Sequence, residues 1–170
     1  MKTIIIVDLE ATCSETNNIK NEIIEIGAVK IKDRQVIDIF DSFVKPIINP
    51  VLTDFCKKLT TISQEDVDSA ETFPTVLKDF KSWVGETDFI LMSWGDYDKH
   101  QFVKDCELHK LSSTWIKEHV NIKVMFANEK KIRPCGMAKA LKLMDINLDG
   151  THHRGIDDAK NIAKIYLALK

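Results

Sequence analysis

The chain lacks the marks of several protein classes. Its four cysteines, Cys13, Cys56, Cys106 and Cys135, lie far apart and form no CxxC pair. That excludes a zinc ribbon or a thioredoxin-type redox motif and leaves reduced, mostly buried thiols as the expectation. No repeat, low-complexity tract or Gly/Ser/Pro-rich linker interrupts the 170 residues, so one folded domain over 1–170 is expected rather than a solenoid or a tethered pair. No apolar run approaches the roughly 20 residues of a membrane span, and Asp8 and Glu10 break the run after Lys2 before it reaches the roughly 7 to 15 residues of a signal-peptide core. A cytoplasmic protein is expected. An excess of positive charge is missing as well: 24 Lys and Arg stand against 26 Asp and Glu, a formal net charge of −2. Proteins that track long nucleic acids are usually basic. A phosphate-bearing substrate would have to be held locally here, by metal ions or by a small basic patch such as "KKIRP" with Lys139 and Lys142, for which a solvated surface is the competing role.

What is present reads as an α/β domain. Residues 3 to 7, "TIIIV", form a β-branched apolar run suited to a central strand. "EIIEIGAVKI" and "QVIDIFDSFVKP", joined by the polar "KDRQ", predict an antiparallel hairpin. After Pro46 and Pro50, "VLTDFCKKL" predicts a short helix and "SQED" has the hydroxyl-then-acid spacing of a helix start. The clearest helix is "TFPTVLKDFKSWVG", with Pro74 in its first turn, Phe73, Val76, Leu77, Phe80, Trp83 and Val84 at helical spacing, and Gly85 at its end. "DFILMSW" predicts a buried strand, "DKHQFVKDCELH" a helix, and "GMAKALKLM" and "DDAKNIAKIYLALK" two amphipathic helices. The stretch between Leu111 and Arg133 carries no legible period. A hairpin followed by strands alternating with helices predicts a central sheet covered by helices.

Asp8 and Glu10 follow "IIIV" directly. Residues two apart in a strand share a face, so the two carboxylates project together while Leu9 turns into the core. Their repulsion is costly unless cations sit between them. The D-x-E spacing alone is common by chance, and a strand end turning into solvent is the competing role; the remaining chain must supply partners. In "SWGDYDKHQF", Asp98 lies in line with Phe102 on the inward side of a helix, whereas Asp96 sits before it and suits a cap or a solvent contact. In "GTHHRGIDDAKNIAKIYLALK", Asp158 is followed by Ile162, Ile165 and Leu169 on the apolar stripe, and Asp157 by Asn161 and Lys164 on the outer face. An inward Asp158 needs a partner, and a metal shared with Asp8 would be one. His153 stands one short turn before it.

"DLEATC", "SWGDYDKHQF" and "HRGIDDAKNIAKI" resemble the three motifs of the DEDDh (DnaQ-like) 3′→5′ exonucleases. "FVKPIINPVLTDFCKKLTTISQEDVDSAETFPTVLKDFKSWV" resembles the subgroup containing the histone-mRNA 3′-end exonuclease, the RNA-interference-enhancing exonucleases and the bacterial KapD-like proteins. The resemblance covers essentially all 170 residues, so the chain looks like a single exonuclease catalytic domain. It implies a ribonuclease H-like mixed five-stranded sheet, antiparallel hairpin first and parallel strands after, flanked by helices. It also implies Asp8, Glu10, Asp98 and Asp158 as metal ligands and His153 as general base. Asp96 competes for the second-motif role, because "WGDYD" stands where some relatives have a shorter "WD". Leu9, Ala11, Thr12 and Trp94 are the implied substrate contacts; Trp94, Tyr97 and Phe126 could meet a terminal base, with core packing as the competing role.

Four carboxylates are hard oxygen ligands that suit Mg²⁺ or Mn²⁺ and not zinc. Two such ions, Asp8 bridging them, would serve phosphodiester hydrolysis with His153 taking the proton of the attacking water. The expected substrate is the 3′ end of single-stranded nucleic acid, RNA before DNA on the subgroup resemblance, with release of nucleoside 5′-monophosphates. A DNA-preferring or short-oligonucleotide nuclease, and a binding module without catalysis, are the alternatives.

Overall fold

The computed structural model describes residues 2–16, 18–85 and 88–169. Five strands, β1 (Thr3–Ala11), β2 (Ile23–Lys32), β3 (Gln35–Phe43), β4 (Phe89–Ser93) and β5 (His119–Asn121), form one sheet in the order β3-β2-β1-β4-β5. β2 pairs antiparallel with both β1 and β3, whereas β4 runs parallel to β1 and to β5. Among the described residues the helices are α1 (Asp54–Thr60), α2 (Gln64–Asp68), α3 (Phe73–Val84), α4 (Tyr97–Leu108), α5 (Ile122–Lys130), α6 (Met137–Leu143) and α7 (Gly155–Ala168). The hairpin-first mixed sheet and its helical cover match the expected fold. Cys13, Cys56, Cys106 and Cys135 are free thiols. Among the described residues no helix is long and apolar enough to cross a membrane.

β1 is the axis of the domain because it is apolar on both faces. Ile5, Val7 and Leu9 point to one side, where they meet Phe73, Val76 and Phe80 of α3 and Phe102 of α4. Ile6 points to the other, against Phe126 of α5, Met137 and Leu141 of α6 and Ile162 of α7. The two-residue period then carries the Ile6 stripe into Asp8 and Glu10, so both carboxylates face the α7 side. The strand runs four residues beyond the expected 3 to 7. Asp8 pairs with Gly27 and Glu10 with Glu25, so the acids lie inside the ladder and not past its end.

Gly27 fixes how closely α7 approaches. A Cβ on Gly27 would fall 2.1 Å from the backbone carbon of Gly155 and 2.1 Å from the backbone nitrogen of Ile156. Only a residue without a side chain lets the first turn of α7 lie on the sheet here, and this contact sits beside Asp8. Gly27→Ala is therefore expected to cost about 3 kcal/mol, because rigid backbone must move to admit the methyl group. Urea denaturation checks it; a midpoint equal to that of the parent protein would show that α7 does not seat as described.

Two further features depart from expectation. The stretch with no legible period contains β5 and α5, with Asn121 capping α5 by accepting a hydrogen bond from Val124 N at 3.2 Å. Asp157 is half-buried instead of fully solvated: its carboxylate accepts from Thr151 N at 2.8 Å and fixes the loop leading into α7.

Candidate active site

Three elements deliver carboxylates to one cleft of about 440 Å³. β1 supplies Asp8 and Glu10, the first turn of α4 supplies Asp98, and the first turn of α7 supplies Asp158. One oxygen from each of Asp8, Glu10 and Asp158 lies within 4.8 Å of the others. Asp98 joins them through the backbone: its Oδ1 accepts from Leu9 N at 3.0 Å, which locks the start of α4 to β1 between the two β1 acids. Glu10, Asp98 and Asp158 are all buried.

Asp96, the rival for the second position, lies outside the cleft. It is exposed, accepts from Asn121 Nδ2 at 2.9 Å and faces His119 at 3.7 Å. The helix register that turns Asp98 inward also turns Asp96 outward.

The two histidines of the loop before α7 meet Asp158 in different ways. His152 lays its ring on Asp158, with Nδ1 at 2.9 and 3.1 Å from the carboxylate oxygens. His153 reaches Asp158 through its backbone N–H at 3.0 Å and stacks on His152 with ring centroids 4.0 Å apart. The His153 ring itself makes no hydrogen bond among the described residues. Its backbone takes the left-handed conformation, φ 66°, which keeps the loop tight enough for both imidazoles to border the cleft.

Glu25 was not foreseen as part of the site. It is fully buried opposite Glu10, where it accepts from Gly155 N at 3.0 Å and Ile156 N at 3.3 Å and pairs with Arg154 Nε at 3.2 Å. It anchors the N-terminus of the helix that carries Asp158, combining a buried ion pair with the favourable end of the helix dipole. The available signal was a carboxylate inside "IIEIGAV", where every neighbour is apolar. Leu59 was likewise not foreseen; it borders the cleft together with Tyr97, one of the candidates for a terminal-base contact, and both are partly exposed.

Of the predicted substrate contacts, Leu9, Ala11 and Trp94 border the cleft. The Leu9 side chain, however, belongs to the core. Trp94 donates its indole N–H to Cys135 O at 3.0 Å and rests on Phe126. Thr12 turns away from the cleft, its hydroxyl accepting from Glu22 N at 2.9 Å. Phe126 is fully buried, so packing is its role.

The carboxylates repel one another. Burial pushes the Glu10 carboxyl up to about 9, with Glu25, Asp158 and Asp98 adding to the shift. Burial also raises Asp8, with Asp98, Glu10 and Asp158 contributing, and it lifts Asp98 to about 6 against the opposing Leu9 N–H. A set of acids that resists ionisation in the bare protein is the electrostatic complement of a divalent cation.

A stability prediction follows from the sign of these shifts. Acids whose folded values exceed their unfolded ones bind more protons when folded, so their contribution to stability is full below about pH 4 and falls as pH rises. For Glu10 the decline extends from 4.5 to about 9. In EDTA, Glu10→Gln is expected to be about 2 to 4 kcal/mol more stable than the parent at pH 8 and nearly equal to it at pH 4. Added Mg²⁺ should raise the parent's melting temperature more at pH 8 than at pH 5, and the variant's much less. Equal stabilities of the two proteins across this range would contradict the assignment.

Buried carboxylates from the central strand and two helices, with a histidine pair beside them, on a mixed sheet in this strand order define the ribonuclease H-like fold with a DEDDh-type site. The exonuclease (RNase_T) family model matches residues 5–166, and the chain belongs to that family. Human 3′-5′ exoribonuclease 1 is 36% identical over 98% of this chain and 52% of its own length. The 3′-5′ exonuclease eri1 of Schizosaccharomyces pombe is 30% identical over 97% of this chain and 67% of its own. The nuclease domain of 3′hExo, a DEDDh family member solved with bound rAMP, superposes with a TM-score of 0.92 at 35% identity, covering 98% of this chain and 90% of that one. The chain spans about half the length of the first curated relatives it matches. DEDDh exonucleases depend on divalent cations, and the donor set of Asp8, Glu10 and Asp158, with Asp98 beside it in the cleft, fits that chemistry.

Proposed function

We propose that this chain is a 3′→5′ exonuclease that removes nucleotides from single-stranded RNA using two Mg²⁺ or Mn²⁺ ions. The observation that carries the reading is the convergence of Asp8, Glu10, Asp98 and Asp158 with two imidazoles on one cleft. Asp8, Glu10 and Asp158 would hold the cations, with Asp98 beside them. When bound, such ions polarise the phosphoryl group and stabilise the charge on the attacking and leaving oxygens. A water attacks the terminal phosphodiester, the bond from phosphorus to the penultimate 3′ oxygen breaks, and a nucleoside 5′-monophosphate leaves.

His153 takes the proton of that water. Burial and the neighbouring His152 lower its pKa below 6.5, against the pull of Asp158, so the ring is neutral and able to accept at neutral pH. His152, already on Asp158, fixes the orientation of that carboxylate. Tyr97, half-exposed at the start of α4, and Leu59 across the cleft offer apolar surfaces to a terminal base. The preference for RNA is supported by the similarity to human 3′-5′ exoribonuclease 1 and to a solved 3′-exonuclease whose structural study describes 3′-end-specific recognition of the histone mRNA stem-loop.

Incubating 5′-labelled single-stranded RNA, single-stranded DNA and recessed or overhanging duplexes with Mg²⁺, Mn²⁺ or EDTA tests the proposal. A ladder shortening from the 3′ end, fastest on single-stranded RNA and reversibly stopped by EDTA, is expected. Cleavage that persists in EDTA would overturn the metal-dependent reading, and faster cleavage of DNA would overturn the RNA preference.

A further inference from the structure

The cleft is acidic and the chain is net negative, yet a segment that borders the cleft through Gly136 and Met137 is basic. Between positions 123 and 142 stand six Lys and Arg against the single acid Glu129. This segment forms the cleft border: Cys135 O accepts the Trp94 indole N–H, and Gly136 and Met137 line the cavity itself. Just before that border Lys131 and Arg133 are exposed on the turn between α5 and α6. Beyond it, Lys139 and Lys142 are exposed three residues apart on one outward face of α6, whose other face packs Met137, Ala140 and Leu141 into the core. The side chains of these four make no ion pair or hydrogen bond among the described residues. At the start of α5, the Lys123 ammonium lies 3.5 Å from the position a Cβ on Gly95 would take, at the turn that introduces Asp98.

We infer that Lys131, Arg133, Lys139 and Lys142 form a track for the phosphate backbone of the strand leaving the cleft on its 5′ side. This deepens the nuclease reading and rests on it. Buried carboxylates repel a polyanion as it approaches, and cations within the cleft act only on the reacting phosphate; upstream phosphates need their own countercharge. Unpaired cations on one rim supply it without reading sequence, which suits an enzyme that must release and re-grip the strand after each nucleotide.

Two properties distinguish such a track from an ordinary solvated surface: its effect grows with substrate length, and it contributes to the salt dependence. The test measures kcat and KM in Mg²⁺ on a 12-nucleotide oligouridylate and on the dinucleotide UpU. It compares the parent protein with Lys131→Ala/Arg133→Ala and with the charge-preserving Lys131→Arg/Arg133→Lys. For the alanine pair, KM on the 12-mer is expected to rise roughly tenfold with kcat within about twofold, while KM on UpU rises less than about twofold. The slope of log(kcat/KM) against log salt on the 12-mer should become shallower by about 1.4, near 0.7 per phosphate contact in a single strand. The charge-preserving pair should restore both. Equal losses on the two substrates would mean a disturbed cleft, and no change on the 12-mer would mean solvated surface; either overturns the track. Both outcomes leave the nuclease reading standing, which falls only if the parent protein degrades neither substrate.

Discussion

Alanine at Asp8 is expected to lower exonuclease activity at least about 10⁴-fold while leaving the melting temperature unchanged or slightly raised. Asp8 is the carboxylate whose neighbours come from every element of the site: Glu10 on its own strand, Asp98 on α4 and Asp158 on α7. Removing it takes away a ligand at the centre of the donor set. Cation stabilisation of the charge on phosphoryl oxygens is worth several kcal/mol, and each 1.36 kcal/mol is tenfold in rate. The fold should not suffer, because the ladder pairing of Asp8 with Gly27 is made by backbone, and the repulsion from Asp98, Glu10, Asp158 and Glu25 is relieved. Circular dichroism melts together with release of nucleoside 5′-monophosphate check both halves. Retention of more than about 1% of the activity would sink the metal-site assignment. Asp158→Ala should be as inactive but less innocent structurally, since Asp158 also holds the His152 ring and the His153 backbone N–H.

The reason Asp8 and Asp158 could be singled out in the sequence is that each continues an apolar stripe. Asp8 follows Ile6 at the strand period, and Asp158 precedes Ile162 and Ile165 at the helical one. A charged residue on a buried face calls for a partner wherever it occurs, and periodicity alone shows the face. Glu25 obeys the same rule, but it sits in a strand buried on both sides, so period two could not say which layer it meets. Its partners, the α7 N-terminus and Arg154, are about 130 residues away. β5 and α5 were illegible for the opposite reason. A three-residue strand, "HVN", carries no pattern, and α5 buries only Ile122, Phe126 and Ala127. The positions of Tyr97 and Leu59 at the cleft depend on how α1 and α4 pack around β1, which no local period encodes.

The histidine pair offers the second large effect, because the two rings meet Asp158 differently: His152 through Nδ1, His153 through its backbone N–H. His153 lies in the left-handed region at φ 66°, where alanine would add backbone strain to any chemical loss. Asparagine tolerates that region, so His153→Asn removes the proposed base with little conformational cost. Its kcat is expected to fall about 10²- to 10³-fold, the usual worth of general base catalysis, with metal affinity nearly unchanged. His152→Ala should cost less than about tenfold, because in the proposed mechanism His152 orients Asp158 and does not take the proton. The pH profile separates the two roles. A base must be unprotonated, and burial together with His152 places the His153 pKa below 6.5. The parent's activity should therefore be full at pH 7 and decline only as pH falls below that value, with cations kept saturating. His152→Ala removes a repelling neighbour, so the acid limb should move to higher pH; His153→Asn should abolish that limb. If His152→Ala suffers the large loss and His153→Asn keeps the parent's limb, the base is His152, and its contact with Asp158 is the catalytic one.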